Sequence, residues 1–278
     1  MICVKLKGGL GNQMFQYAAG KFLSLKNRTA LVLDTSYFNN DFQGKVTPRN
    51  YGLGHFNISE SSGSGKSLRS YLLELFEKKC VFKESKISAY KPQLTESRSK
   101  KIELEGYWQS EKYFSPIREI LCKEFTPVKP GSAACLHFFD EIRSSQAVSI
   151  HVRRGDYVND EKVKATHYVC TPDYFEKAIH YINSRITDPT FFVFSDDVAW
   201  CKANLPSALP ACYVTGTLAH EDIYLMSNCM HHVISNSSFS WWGAWLNQFK
   251  DKIVVAPQNW KVNPEGTQDV VPERWIKI

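Results

Sequence analysis

Three short segments of this chain carry side chains that can do chemistry, each just after a β-type run. His151-Val-Arg-Arg-Gly-Asp-Tyr157 follows the β-type run Ala147-Val-Ser-Ile150. Ligands of α/β folds bind at the carboxyl ends of strands. Arginine suits a phosphate because its planar fork donates paired, charge-assisted hydrogen bonds. Arg153 or Arg154 would therefore neutralise a diphosphate, and Asp156 would hold the loop or an arginine. A surface salt-bridge turn is the plainer alternative. Ser235-Asn-Ser-Ser-Phe-Ser240 also lies between a strand and a helix, where small hydroxyl side chains and helix-N-terminal N–H groups make an anion pocket. Trp241 and Trp242 behind it read as core, with a stacking platform as the rival. The third segment, Gly8-Gly-Leu-Gly-Asn-Gln13, is a tight turn that can bring backbone N–H groups to a ligand.

Other patterns imitate known sites and fail in detail. A dinucleotide fingerprint needs a third glycine where Met14 stands, although Asp34 lies near the place of a ribose-binding acid. Gly63-Ser-Gly-Lys-Ser67 has Glu60 where the first glycine of a P-loop belongs. Ser195-Asp-Asp197 ends an apolar strand, but it lacks the D-x-D spacing that holds a divalent ion against phosphate. Arginines can do that electrostatic work, so no metal is expected; Ser195 and Asp196 remain donor-site candidates, with an acidic helix cap as the alternative.

Elements must position these segments. A strand over 2–6, a helix from Asn12 to about Lys26 and a strand over Ala30–Asp34 form a βαβ unit. The stretch from Asn39 to Lys101 is weakly patterned, with a polar loop over Ser59–Ser67 and an amphipathic helix over Leu68–Lys79. Ile102–Gln109 reads as a strand, Ser115–Glu124 as a helix and Pro127–Gly131 as a linker. A second series follows: strand 147–152, a helix entered through Thr171-Pro172-Asp173, and strand Thr190–Phe194. Helix Asp222–Cys229, strand His232–Ile234, a helix from Phe239 to about Phe249 and strand Ile253–Ala256 complete it. Alternating strands and helices in both halves predict an α/β fold with two Rossmann-like domains facing a cleft, residues 1–130 and 131–278.

Composition sets the outer bounds. The 278 residues suffice for two domains, and 43% hydrophobic with 22% charged residues describes a soluble globular chain. A net charge of +6 suits an anionic small ligand or membrane surface, whereas nucleic acid would want more concentrated charge. Lysines interrupt the N-terminal apolar residues and no eighteen apolar residues run together, so neither a signal peptide nor a membrane span is expected. The eight cysteines form no C-x-x-C pair, which favours reduced thiols in a cytoplasmic protein. The sequons at Asn27, Asn57 and Asn236 then carry no weight.

Taken together, G-G-L-G-N-Q-M-F-Q-Y-A, H-V-R-R-G-D-Y, F-S-D-D and S-N-S-S-F-S-W-W-G-A resemble the motif set of the α-1,2-fucosyltransferase family, in matching order from Gly8 to Trp245. The resemblance is to the bacterial type of glycosyltransferase family 11. It implies a GT-B-like enzyme that transfers L-fucose from GDP-β-L-fucose to the 2-OH of a terminal galactose, with inversion and without a metal. It also implies that Arg153 holds the β-phosphate, that His151 and Asp222 contact guanine, and that Ser238, Phe239 and Ser240 line the diphosphate. Gly9, Gly11 and Asn12 would reach the donor from the first domain, which would otherwise serve the acceptor, a galactose-terminated oligosaccharide or glycolipid. For the base the resemblance gives less: Glu161 and His167 rank nearly level, with Asp156 and Asp160 as rivals. Residues 35–145 would carry acceptor choice, and loose association with the inner membrane stays open. Transfer to another position or from another GDP-sugar, and a non-catalytic sugar- or nucleotide-binding module, are the competing readings.

Overall fold

The computed structural model describes residues 1–39, 49–59, 79–84, 89–129, 131–155 and 169–278. It divides into two α/β units, Met1–Thr126 with Glu265–Val270 and Pro127–Pro264 with Val271–Ile278. The division falls at the start of the Pro/Gly-punctuated stretch, not between 130 and 131. A C-terminal segment also returns to the first unit. Asp269 anchors it, its carboxylate accepting the Tyr90 N–H at 2.9 Å and the Lys112 ammonium at 2.6 Å.

In unit 1, β1 (Ile2–Lys5), β2 (Leu31–Asp34), β3 (Cys80–Lys83) and β4 (Ile102–Glu105) form a parallel sheet in the order β2-β1-β4-β3. Helix α1 (Leu10–Lys26) packs Met14, Phe15 and Ala18 into the core with Ile2, Val4 and Leu104. It begins ahead of Asn12 because Gly9, in extended backbone, already serves as its N-cap. The short α2 (Pro92–Glu96) precedes β4, and α3 (Arg118–Glu124) follows a 3₁₀ turn over Ser115–Ile117. Strand β4 stops at Glu105, short of the expected Gln109, because the chain turns through Gly106 and a left-handed Trp108 at φ 54°.

In unit 2, the parallel strands β5 (Gln146–Val152), β6 (Pro189–Ser195), β7 (Ala211–Tyr213), β8 (His231–Val233), β9 (Val254–Ala256) and β10 (Ile276–Lys277) run in the order β10-β9-β8-β5-β6-β7. Counted from β5, this is the doubly wound order 3-2-1-4-5-6, in which the winding direction reverses between the first and fourth strands. Each unit is thus Rossmann-like, and the chain has the two-unit composition of a GT-B-like α/β enzyme. Strand β5 is central, and its Val148, Ile150 and Val152 share a core with Phe175, Ile179 and Ile182 of α5 (Pro172–Asn183). Thr171 caps that helix as its Thr-Pro-Asp signal predicts, accepting the Tyr174 N–H.

Several elements had no sequence signal. Helix α4 (Ala133–Arg143) buries only Cys135 and Ile142, so its apolar periodicity is faint. Helix α6 (Val198–Asn204) buries only Cys201, and β3, β7 and β10 are short edge strands. Helix α7 (Ala219–Asn228) starts ahead of Asp222 because the Glu221 carboxylate reaches back to the Leu218 N–H at 2.8 Å. Helix α8 (Ser238–Leu246) ends before the expected Phe249, whose N–H donates to Asn247 Oδ1. The readings over residues 60–78 lie outside the described residues. Among those described, no helix is long and apolar enough to cross a membrane.

Candidate active site

The reversal of winding in unit 2 opens between β5 and β8, and the two most informative sequence segments leave from these neighbouring strands. One hydroxyl joins them. Ser235 Oγ, just past β8, donates to the His151 carbonyl at 2.6 Å and accepts the Arg153 N–H at 3.2 Å. The His151 imidazole lies 5.5 Å, ring to ring, from Phe239 in the first turn of α8. Arg153 and the mouth of α8 therefore stand at one crevice, which is where doubly wound sheets bind ligands.

The two arginines differ in their surroundings. Arg153 Nη1 pairs with Asp196 Oδ2 at 2.8 Å while its side chain keeps a quarter of its surface exposed. Arg154 donates its N–H to Asp196 Oδ1 at 2.9 Å and Nε–H to Asp197 Oδ2 at 3.2 Å, and its guanidinium lies 4.1 Å over the Trp200 ring. Asp197 also caps α6, accepting the Trp200 N–H at 3.0 Å, and Ser195 Oγ accepts the Asp197 N–H at 2.9 Å. The Ser195-Asp-Asp197 segment thus holds both arginines and starts a helix, so the cap alternative describes Asp197 correctly. Gly155 is glycine because a Cβ there would stand 2.6 Å from Asp196 Oδ2, inside the pair that fixes Arg153. Arg153 is the candidate for anion binding, and Arg154 is the candidate for holding the turn.

Ser237 is the N-cap of α8, its hydroxyl accepting the Phe239 N–H at 3.3 Å. The first-turn N–H groups and the helix dipole aim positive potential outward from this end. Ser238 and Phe239 are partly exposed. Ser240 is buried and its hydroxyl donates back to the Ser237 carbonyl at 3.3 Å, so Ser240 shapes the mouth instead of offering its hydroxyl to it. Asn236 is likewise structural, donating to the Trp260 carbonyl at 3.1 Å. Trp241 and Trp242 are fully buried and pack on Trp245, which settles them as core.

Burial holds His151 neutral, its pKa pushed down to about 3 with the Arg153 charge adding to the effect. Its Nδ1 has no hydrogen-bond partner among the described residues. Asp222, in the first turn of α7, is pushed up to about 6 by burial, against the opposing hydrogen bond that Thr217 Oγ1 donates to it at 2.5 Å. A carboxylate so placed gains most from a ligand that brings N–H donors.

Unit 1 has its own reversal, between β1 and β4. Gly8, at φ +80°, and Gly9 form the turn from β1 into α1, and space is open where a Gly9 Cβ would be. Gly11 is buried within the first turn of α1. Gln13 and Gln16, quoted only as part of a motif, are structural staples. Gln13 Nε2 donates to the Gly8 and Asn50 carbonyls, while its Oε1 accepts the Gly52 N–H. Gln16 accepts the Lys7 N–H and donates to the Gly106 carbonyl. Asn12 Oδ1 accepts from Gln109 Nε2 at 2.6 Å, a contact between β1 and β4 ends that sequence spacing could not reveal. Asp156, Asp160, Glu161 and His167 lie outside the described residues.

Comparison with known proteins adds the chemistry class. The family model described as glycosyl transferase family 11 matches residues 1–278. The chain belongs to glycosyl transferase family 11. Among curated relatives of this family 11 chain, an Escherichia coli protein named alpha-1,2-colitosyltransferase is 34% identical, covering all of the chain and 99% of the relative. A second, the Escherichia coli O-antigen biosynthesis glycosyltransferase WbnK, is 35% identical over 98% of the chain and 99% of its own length. Mouse galactoside 2-alpha-L-fucosyltransferase Sec1 is 33% identical over 52% of the chain and 42% of its own length. The family 11 chain is a glycosyltransferase, and the motifs that carried the resemblance are the ones gathered at the two strand reversals.

For a family 11 site, the residues that sequence reasoning missed are the ones that hold others. Thr217 supports Asp222, Ser235 joins β5 to β8, Asp197 and Trp200 fix Arg154, and Gln109 holds Asn12. Asp197 and Ser235 lay inside the quoted motifs. Thr217, Trp200 and Gln109 carried no signal of their own.

Proposed function

We propose that this family 11 chain transfers L-fucose from GDP-β-L-fucose to the 2-OH of a terminal galactose, inverting the anomeric carbon without a metal ion. The observation that carries this reading is the convergence of Arg153 with the capped mouth of α8 through Ser235. Attack of the galactose oxygen on C1 breaks the bond to the β-phosphate oxygen, and the departing GDP takes the electron pair. A fixed guanidinium and helix-N-terminal N–H groups suit that growing charge, and they act most strongly at the transition state. Asp196 and Asp197 are engaged by the arginines, which favours electrostatics from side chains over a metal bridged by those carboxylates. Asp222 and the neutral His151 would meet guanine. The attacking hydroxyl gives its proton to Glu161 or His167. Single-turnover rates of Glu161→Ala and His167→Ala assign it: the residue whose loss leaves chemistry near wild type is not the base.

Unit 1 would take the acceptor, a galactose-terminated oligosaccharide or glycolipid. A cytoplasmic enzyme working at the inner membrane fits the net charge of +6, which favours an anionic surface. The decisive experiment incubates the protein with GDP-fucose and a panel of lactose, Galβ1-3GlcNAc and Galβ1-3GalNAc, reading the linkage by NMR. An α-1,2-fucosyl product supports the reading, and no transfer to any of them ends it.

A second reading concerns the donor sugar, because the full-length relative from Escherichia coli bears the name alpha-1,2-colitosyltransferase. Colitose is fucose without its 3-hydroxyl. A site that hydrogen-bonds that hydroxyl rejects the deoxy sugar by a large factor, whereas an apolar pocket discriminates weakly. Competition between GDP-fucose and GDP-colitose, read as the ratio of kcat/KM, separates the two.

A further inference from the structure

The crevice between β1 and β4 in unit 1 contains a polar pair that the donor-site reading does not use. Gln109 is 5% exposed, and its Nε2 donates to Asn12 Oδ1 at 2.6 Å. Its Oε1 is buried without a partner among the described residues. The opposite orientation of this amide would bury an unpaired NH2 in place of an unpaired oxygen, and buried orphan donors are the rarer and costlier case. The polarity of the pair is therefore set: Gln109 gives and Asn12 receives.

The turn that delivers Gln109 is itself under constraint. Trp108 adopts φ 54°, a left-handed conformation that costs a bulky residue energy, and it is fully buried. The Glu84 carboxylate holds this turn by accepting both the Tyr107 N–H at 2.7 Å and the Trp108 N–H at 2.9 Å. Strain maintained at a strand reversal, with a buried carboxylate to maintain it, points to a task for the side chain that follows.

With Oδ1 turned to Gln109, the Nδ2 hydrogens are the part of Asn12 turned away from Gln109 to donate to a ligand. Nδ2 lies along the glycine turn, 2.7 Å from where a Gly8 Cβ would be, and Gly9 beside it faces open space. A donor amide at the start of a 17-residue helix adds to the positive potential of the first turn.

We propose that Gln109 is a positioning residue for Asn12, fixing it with its NH2 toward the Gly8–Gly9 turn so that this crevice receives an electron-rich oxygen of a substrate. That oxygen belongs either to the donor diphosphate or to a sugar hydroxyl of the acceptor. The inference rests on the proposed function for the identity of those substrates, and it adds a residue to which no role had been given.

The test is a double-mutant cycle. Gln109→Met and Gln109→Glu are each made in the wild type and in Asn12→Ala, with KM for donor and acceptor, kcat, the calorimetric Kd for GDP, and Tm. In Gln109→Glu the new side chain can only accept, so Asn12 turns its oxygen outward and KM for the affected substrate rises tenfold or more. Gln109→Met frees Asn12 to rotate and raises the same KM about threefold. In the Asn12→Ala background neither change at 109 moves KM beyond twofold, because the residue through which it acts is gone. A rise in donor KM and GDP Kd assigns the phosphate, and a rise in acceptor KM alone assigns the sugar. Equal effects in both backgrounds, or no KM change in Gln109→Met with Tm preserved, overturn the inference while leaving the transfer reading intact. A wild type that neither binds GDP nor transfers sugar overturns both. Should Gln109→Glu fail to fold, the Gln109→Met arm of the cycle decides alone.

Discussion

Each unit has a crevice at a central pair of parallel strands that are not consecutive in the chain, and the two differ in their chemistry. Unit 2 lines its crevice with charge: Arg153 held by Asp196, Arg154 locked between Asp197 and Trp200, and the N-terminus of α8 beside them. Unit 1 lines its own with amides and glycine, with the buried Glu84 carboxylate engaged by the Tyr107–Trp108 turn, and has a second buried charge cluster in its core. There Lys21 Nζ pairs with Glu124 at 2.6 Å, with Tyr17 donating to the same carboxylate at 2.8 Å and Ser59 completing the group. One crevice suits a dense anion and the other suits hydroxyls and phosphate oxygens met one hydrogen bond at a time. The same winding rule thus provides two places for ligands, and side-chain type decides what each takes.

Breaking the charged groups in turn measures this contrast. The largest loss should be in unit 1 and in stability alone. Lys21→Met leaves the Glu124 carboxylate buried without its cation, which costs about 3–5 kcal/mol in urea unfolding. Replacing both partners with apolar residues should recover much of it. A Lys21→Met protein that unfolds like wild type would show the pair to be solvated.

Arg153→Ala should do the reverse, lowering kcat by about 10²- to 10³-fold, roughly 3–4 kcal/mol of transition-state stabilisation, with little change in Tm. Arg153→Lys keeps the charge and loses the fork, so it should fall between the two. Full activity in Arg153→Ala would remove the convergence on which the proposed function rests.

Asp222 supplies a pH signature. Its pKa is raised to about 6 by burial, and a carboxylate that accepts guanine N–H groups must be ionised. Below about pH 6 the Kd for GDP should therefore weaken by up to tenfold per pH unit, and above it the profile should be flat. Asp222→Asn should bind more weakly and lose the slope. A wild-type Kd that stays level from pH 5 to 7.5 would dissociate Asp222 from the base.

Arg154→Ala should have the smallest effect. Its loss removes a partly exposed ion pair and a cation–π contact, about 1 kcal/mol of stability, with kcat reduced far less than in Arg153→Ala. Equal kinetic losses at 153 and 154 would mean that both guanidiniums reach the diphosphate.

Much of unit 2 was legible from sequence because its signals are local. Thr171-Pro172 marks a helix start by capping chemistry alone, and Thr190–Phe194 is apolar because a central parallel strand is buried on both faces. Unit 1 was legible only at its two ends, where β1-α1-β2 and β4 carry strong apolar patterns. Helix α4 escaped notice because it buries two residues, and Trp108 because a left-handed tryptophan has no sequence signature.

The sequence by itself determined the family, the two α/β units and the candidate ligand-binding segments, since turn glycines, capping residues and apolar periodicity are written in neighbouring positions. Only the tertiary structure decided which carboxylate holds which arginine, that the acidic pair serves the arginines, and that Gln109 grips Asn12. Those are contacts between strands far apart in the chain. Strand order sets them, and strand order is fixed by the packing of whole units, which no local run of residues encodes.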